Sequence, residues 1–205
     1  FLAWTQPEYL DYLDTRQEHL YTNAVTPYLR APHLLLGFPT RFQPETQQVE
    51  PILMTSRDGK TFHRWPEPLI PISAPKNRDG NRSNYMAWGL LPTPGSDRAY
   101  SVYASENYLA TTPTRLRRFT YRLDGFVALR GGEQGGQLTT RPLNVAGGQL
   151  EINYLARPDG HVRVEIQDTG GKPLAGFAAA DCDPLEGDEI AKTVTWKTAG
   201  HGPFT

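Results

Sequence analysis

The chain has 205 residues, 38% hydrophobic and 21% charged, which suits a folded globular protein and excludes a disordered one. A formal net charge of −1 gives no electrostatic reason to expect a nucleic-acid or membrane partner, and no apolar run is long enough to cross a bilayer as a helix. Cys182 stands alone, so an intrachain disulfide and a cysteine-based zinc site are both excluded.

Nineteen glycines and eighteen prolines, spread along the chain, predict many turns between short strands and hence an all-β class. Residues 1–23 are ambiguous. Trp4, Tyr9, Leu10, Tyr12 and Leu13 can mark a helix face, and Thr5 with Glu8 three residues on has the form of a capping box. The other reading is an outer strand; the balance goes to a short helix or irregular segment. The chain then organises itself around Tyr28 to Phe42, whose apolar centre, Leu34 to Leu36, lies between Pro32 and Gly37-Phe38-Pro39. An apolar run that short between breakers reads as a buried strand. Arg30 and His33 stand just before it. They either satisfy carbonyls at the strand end or point into a shared cavity.

Three strand signals fall between residues 28 and 65: Leu34 to Phe38, Pro51 to Ser56, and Thr61 to Trp65. Asp58-Gly59 joins the last two as a hairpin turn, because glycine accepts positive φ without steric cost. Residues 66–83, rich in proline, charge and asparagine, read as one long loop. The earlier order then repeats: a strand from Tyr85 to Leu91, another from Ala99 to Ser105, and a hairpin from Arg115 to Leu129 about Asp124-Gly125. The two Asp-Gly turns lie about 66 residues apart, which suggests two blade-like repeats. Gly131 to Gly136 is a linker by composition. Beyond it, strands are expected at Leu138 to Thr140, Leu150 to Leu155, Val162 to Ile166 and Thr193 to Trp196, as part of a sandwich. The domain reading is 1–130, a linker at 131–136, and 137–205.

His19 to Asn23, Tyr28 to Phe42, Leu53 to Gly59, Arg117 to Phe126 and Val162 to Asp168 together resemble a bacterial family of glycosyl-hydrolase-like proteins. That family is related to the five-bladed β-propeller hydrolases of the invertase-like families 32 and 43. The resemblance implies propeller-blade-like antiparallel sheets followed by a jelly-roll-like β-sandwich. It also implies that further blades precede Phe1 and that a last sandwich strand follows Trp196, so the chain is expected to be part of a longer protein. It implies a bacterial origin; no signal peptide is recognised, and export is left open.

The implied chemistry is glycoside hydrolysis, which needs two carboxyl groups about 5 to 9.5 Å apart across the bond. Glu106, after the Ala99 to Ser105 strand and before Asn107-Tyr108, is the first candidate for the acid, and resembles the family's glutamate by placement only. The bland reading is an exposed glutamate at a strand end. Glu18 is the second candidate, with Asp11 and Asp14 also open, and His33 could exchange protons near neutral pH. Arg30, Asn23, Tyr21, Trp88 and Tyr108 are candidate substrate contacts, through a guanidinium fork, an amide and aromatic faces. The resemblance places the first-blade aspartate of the propeller hydrolases in the part expected before Phe1. A non-catalytic carbohydrate-binding or scaffold module is therefore the alternative. A third reading, an ester hydrolase using Ser101 or Ser105 with His33, has no nucleophile motif behind it. No metal or cofactor is expected; the acidic run Asp181 to Glu189 lacks the spacing of a helical calcium loop and reads as solvated. The expected partners are a carbohydrate or other small molecule and a second copy of the chain. Open blade edges predict a symmetric dimer through strand edges or the apolar faces near Leu34 to Phe38 and Tyr100 to Tyr103.

Overall fold

A computed structural model describes residues 3–74, 84–107 and 113–197. The described residues are all-β, with thirteen strands, several sheets and no helix. They divide into two compact units, residues 1–122 and 123–205.

The first unit is built on β6 (Gln48–Ser56), the longest strand. Its residues are buried almost without interruption from Val49 to Met54, because partners lie on both sides and both faces are covered. On one side it pairs with β5 (Thr40–Gln43) through its first half and β4 (Ala31–Gly37) through its second. Phe38-Pro39 is the corner between those two short strands. Outside them lie β2 (His19–Tyr21) against β5 and β3 (Thr26–Tyr28) against β4. On the other side β6 pairs with β7 (Thr61–Pro68), and β1 (Asp11–Tyr12) adds parallel to β7. Gly37 is required by close approach: a Cβ there would meet Met54 Cε at 2.6 Å. The Asp58 turn forms as expected, with Ser56 Oγ and Asp58 Oδ1 accepting backbone N–H groups of residues 58 to 61.

A second sheet in this unit has β10 (Ala99–Glu106) at its centre, β11 (Arg115–Arg122) on one edge, and β8 (Tyr85–Met86) and β9 (Leu91–Pro92) sharing the other. The two sheets meet through the Tyr28 and Tyr100 rings, 6.0 Å apart, and through Asn84 N–H to the Val49 carbonyl.

Several expectations change. Residues 3–23 form no helix. Asp11 and Leu13 donate backbone hydrogen bonds to Lys60 and Phe62 carbonyls instead, so pairing with β7 overrides the capping-box pattern. The strand expected at Tyr85 to Leu91 is split into β8 and β9, with Gly89 at φ +106° between them. Among the described residues no return strand pairs with β11 after Asp124-Gly125, so β11 is not a hairpin arm of that turn. The loop expected from residue 66 starts later: Pro66 to Pro68 belong to β7, and Ile70 is in the core. Phe38, Tyr100 and Val102 are buried within the unit, while Leu34, Leu35 and Tyr103 are half-buried.

The second unit pairs β12 (Glu151–Leu155) with β13 (Asp188–Thr193). Its core is Tyr154, Cys182, Leu185, Val194 and Trp196, with Val162, Val164, Ile166 and Phe177 packed against it. Val162 to Ile166 is held by isolated bridges and single bonds, not as a full strand. Val162 pairs with Leu185, and the Val164 carbonyl accepts from Trp196 Nε1 at 3.0 Å. Leu138 to Thr140 forms no strand among the described residues and is exposed. The glycine-rich run lies within this unit and turns on a Gly132–Gly135 bridge.

Candidate functional site

In β7, alternation puts Phe62 and Arg64 on the inner side of the strand. Arg64 is 3% exposed in its side chain and needs compensation there. Its Nε donates to Asp14 Oδ2 at 3.1 Å, its Nη2 pairs with Asp14 Oδ1, and its guanidinium lies 4.1 Å from the centre of the Tyr12 ring. Asp14 also accepts Arg16 Nη2 at 3.0 Å. Arg16 and Arg64 each donate to the other's backbone carbonyl, at 2.9 and 2.8 Å. Hydrogen bonds from Arg16 and then Arg64 hold the Asp14 carboxyl well below the usual range, against the opposing effect of burial.

A second knot adjoins the first. Arg41 on β5 donates to Glu18 Oε1 at 2.9 Å and to Glu50 Oε1 at 2.7 Å, and Gln43 Nε2 adds a bond to the same Glu50 oxygen at 2.6 Å. Burial acts to lower the Arg41 pKa, but its bonds to Glu50 and Glu18 outweigh burial and raise it. Glu18 Oε2 lies 3.4 Å from Arg64 Nη1, which joins the knots. Three carboxylates and three guanidiniums thus neutralise one another between the 11–21 segment and the sheet. Of the four weighed acids, Glu18 and Asp14 are in this clamp, and Asp11 is an exposed residue of β1.

Glu106 lies at the end of β10 in the other sheet. The bland reading of it as exposed fails: it is 2% exposed. Arg117 grips both its oxygens, with Nε to Oε2 at 3.1 Å and Nη2 to Oε1 at 3.0 Å. Glu18, just before β2, and Glu106, at the end of β10, therefore lie against different sheets, each engaged by guanidinium groups.

The other candidates are spread out. Arg30 is exposed in the turn between β3 and β4, and His33 is exposed on β4. Asn23 is exposed, and its carbonyl accepts the Phe38 N–H at 2.9 Å. Tyr21 stacks on Phe42 with ring centres 5.6 Å apart. Trp88 is 70% exposed while its Nε1 donates to the Val25 carbonyl at 3.0 Å. Tyr108 lies outside the described residues. Ser101 is buried and bonded to Thr93, so it is not aligned with the exposed His33. Asp183 in the acidic run accepts the Thr195 hydroxyl at 2.6 Å, and no cluster of three or more metal-ligating side chains occurs among the described residues.

One groove, of about 450 Å³, runs across the face of β4, β6 and β7. The register sets Leu36, Thr55 and His63 side by side across these strands. Leu34 and Leu36 give it an apolar floor; the exposed Leu13, with Thr55, Ser56, Arg57, Asp58, Thr61 and His63, lines its rim. Sequence reading missed these rim residues and the arginines of the clamp. The alternation of Phe62 and Arg64 was the available signal, since it places a guanidinium on the buried side of a strand. Comparisons with protein-family models, curated proteins and solved structures gave no match for this chain.

Proposed function

We propose that the chain is a non-catalytic module of a carbohydrate-acting protein, with blade-like sheets followed by a sandwich-like unit, and that the β4–β6–β7 groove takes a sugar. The observation that carries this reading is the use made of the candidate acids. Glycoside hydrolysis needs one carboxyl to give up a proton and another to reach the anomeric carbon or a water. Glu106 has both oxygens on Arg117, and Glu18 is bound to Arg41 and flanked by Arg64. Carboxylates in such forks tie strands together. The groove supports binding because it combines an aliphatic floor with hydroxyl, imidazole and guanidinium groups, the mixture that orients a polyhydroxylated ring.

The hydrolase reading retains one support, the position of Glu106 beside the buried Asn107 at a strand end. It requires Arg117 to swing away from the carboxylate when substrate arrives. The two readings part on one experiment. The purified chain is screened on aryl glycosides, while the His63 ring signals are followed by NMR during titration with neutral and acidic oligosaccharides. The expected result is no aglycone release, with His63 shifts that saturate for at least one sugar. Turnover abolished by Glu106→Gln overturns the proposal, as does a titration that leaves His63 unmoved by every sugar.

A further inference from the structure

In the second unit, residues 127–147 are all exposed. Five large apolar side chains stand in water there: Val127, Leu129, Leu138, Leu143 and Val145, with Leu129 at 75% and Leu138 at 64%. Among the described residues, the backbone of this stretch is tied only at the Gly132–Gly135 bridge. Continued outward, the register of that bridge sets Leu129 across from Leu138. A segment with so much exposed apolar surface and so many open N–H and C=O groups is suited to an interface.

The same unit contains a matching acceptor. β12 and β13 form a two-stranded sheet with no third strand on either edge among the described residues. A two-stranded sheet is marginal in water. Leu155 at the end of β12 is 73% exposed. The exposed charges of the pair are Glu151, Asp188 and Glu189 against Lys192; those of the arm are Arg130 and Arg141 against Glu133. Donor and acceptor are therefore opposite in charge. Between them lies Gly147, where an added Cβ would meet nothing within 4 Å, followed by Gly148. A glycine in open space followed by a second glycine is a hinge that lets the arm leave its own unit.

We infer that residues 127–145 are an exchange arm, and that it adds as a strand to the open edge of the β12–β13 sheet of a second copy of this chain. Each copy offers one arm and, on β13, an edge to receive it, so two-fold exchange satisfies both and closes the assembly as a dimer. Backbone bonds supply the pairing, Leu129 and Leu138 supply apolar burial near Leu155, and the arm arginines meet the carboxylates of the edge. Pro142 interrupts the pairing potential, so the ladder is expected over Gln137 to Arg141. The inference is independent of the sugar reading.

The test is molar mass by light scattering on the whole chain across the micromolar range. The expected wild-type result is twice the chain mass of 22.9 kDa. A Leu138→Asp, Thr139→Pro double variant should give the single mass with a cooperative melt that, unlike the wild type's, does not depend on concentration, since neither side chain packs in its own copy. A wild type that stays monomeric, or a double variant that stays dimeric, overturns the arm. Single variants Thr139→Cys and Ala191→Cys separate the arm's partner. A disulfide formed only on mixing the two supports arm on edge, whereas Thr139→Cys linking to itself means arm on arm and overturns the edge.

Discussion

The two units solve the same problem by different chemistry. All eight polar or charged residues that are buried among the described residues lie in the first unit: Thr40, Glu50, Ser56, Arg64, Asn84, Ser101, Glu106 and Asn107. The five-residue core of the second unit is apolar apart from the Tyr154 hydroxyl, the Trp196 indole N–H and the Cys182 thiol. In the first unit, charged groups fix which strand lies beside which, because each guanidinium fork accepts only a carboxylate at the right height. In the second, contact area around Trp196 does most of the holding, and hydrogen bonds finish it. The lesson is that a buried carboxylate beside a strand end is as consistent with a register pin as with an acid catalyst, and its partners decide between them.

The sharpest way to break the comparison is Arg64→Ala. It takes the second guanidinium from Asp14 and from Glu18, which keep Arg16 and Arg41, and removes the cation over Tyr12. Breaking one partner of a buried pair costs about 3–5 kcal/mol. Urea denaturation should show that loss, and the Trp196 environment in the second unit should be unchanged. A loss below about 1 kcal/mol would mean that the clamp is a surface ornament and that the contrast between the units is false. The apolar counterpart is Leu185→Ala in the second unit, which leaves a cavity against Tyr154 and Trp196 at a cost of about 3 kcal/mol. Its effect should be insensitive to salt, whereas the Arg64 effect should shrink in high salt. Equal salt dependence in the two variants would remove the distinction.

How far this was legible from residues follows from distance along the chain. The Leu34, Pro51, Thr61 and Ala99 strands were readable because each carries its own apolar run and breakers, and Asp58-Gly59 carries its own turn chemistry. The clamp was not, because Asp14 and Arg64 are 50 residues apart and no local motif joins them. The N-terminus reads as a short helix or an irregular segment: residues 3–10 are irregular, and the helix was a local pattern outvoted by pairing with β7; Tyr9, one of its apolar positions, is 96% exposed. Glu106 was placed correctly at a strand end, yet its burial depends on Arg117 across the β10–β11 ladder, which no reading of one strand supplies.

Acid gives the last and smallest test of the contrast. In the first unit Asp14 is held low by Arg16 and Arg64, and Asp58 is held low by the N–H groups of Thr61 and Lys60 and the Ser56 hydroxyl. In the second unit Glu165 is held low by Gln167 and the Ala179 N–H. A carboxyl whose folded pKa lies below its unfolded value of about 4 takes up its proton first in the unfolded chain as pH falls. Its stabilisation is complete above that unfolded value and is lost on going down through the folded one. Stability should therefore be flat from pH 7 to about 5 and fall below about 4. Asp14 is about a quarter exposed, so solvent limits its share to about 1 kcal/mol or less. Asp14→Asn should be less stable than the wild type at pH 7, and the gap should narrow as pH drops toward 3. Urea midpoints at both pH values measure it. A gap that stays constant would show that Asp14 acts through shape and hydrogen bonding alone, and the charge argument for the first unit would then rest on the Arg41 knot.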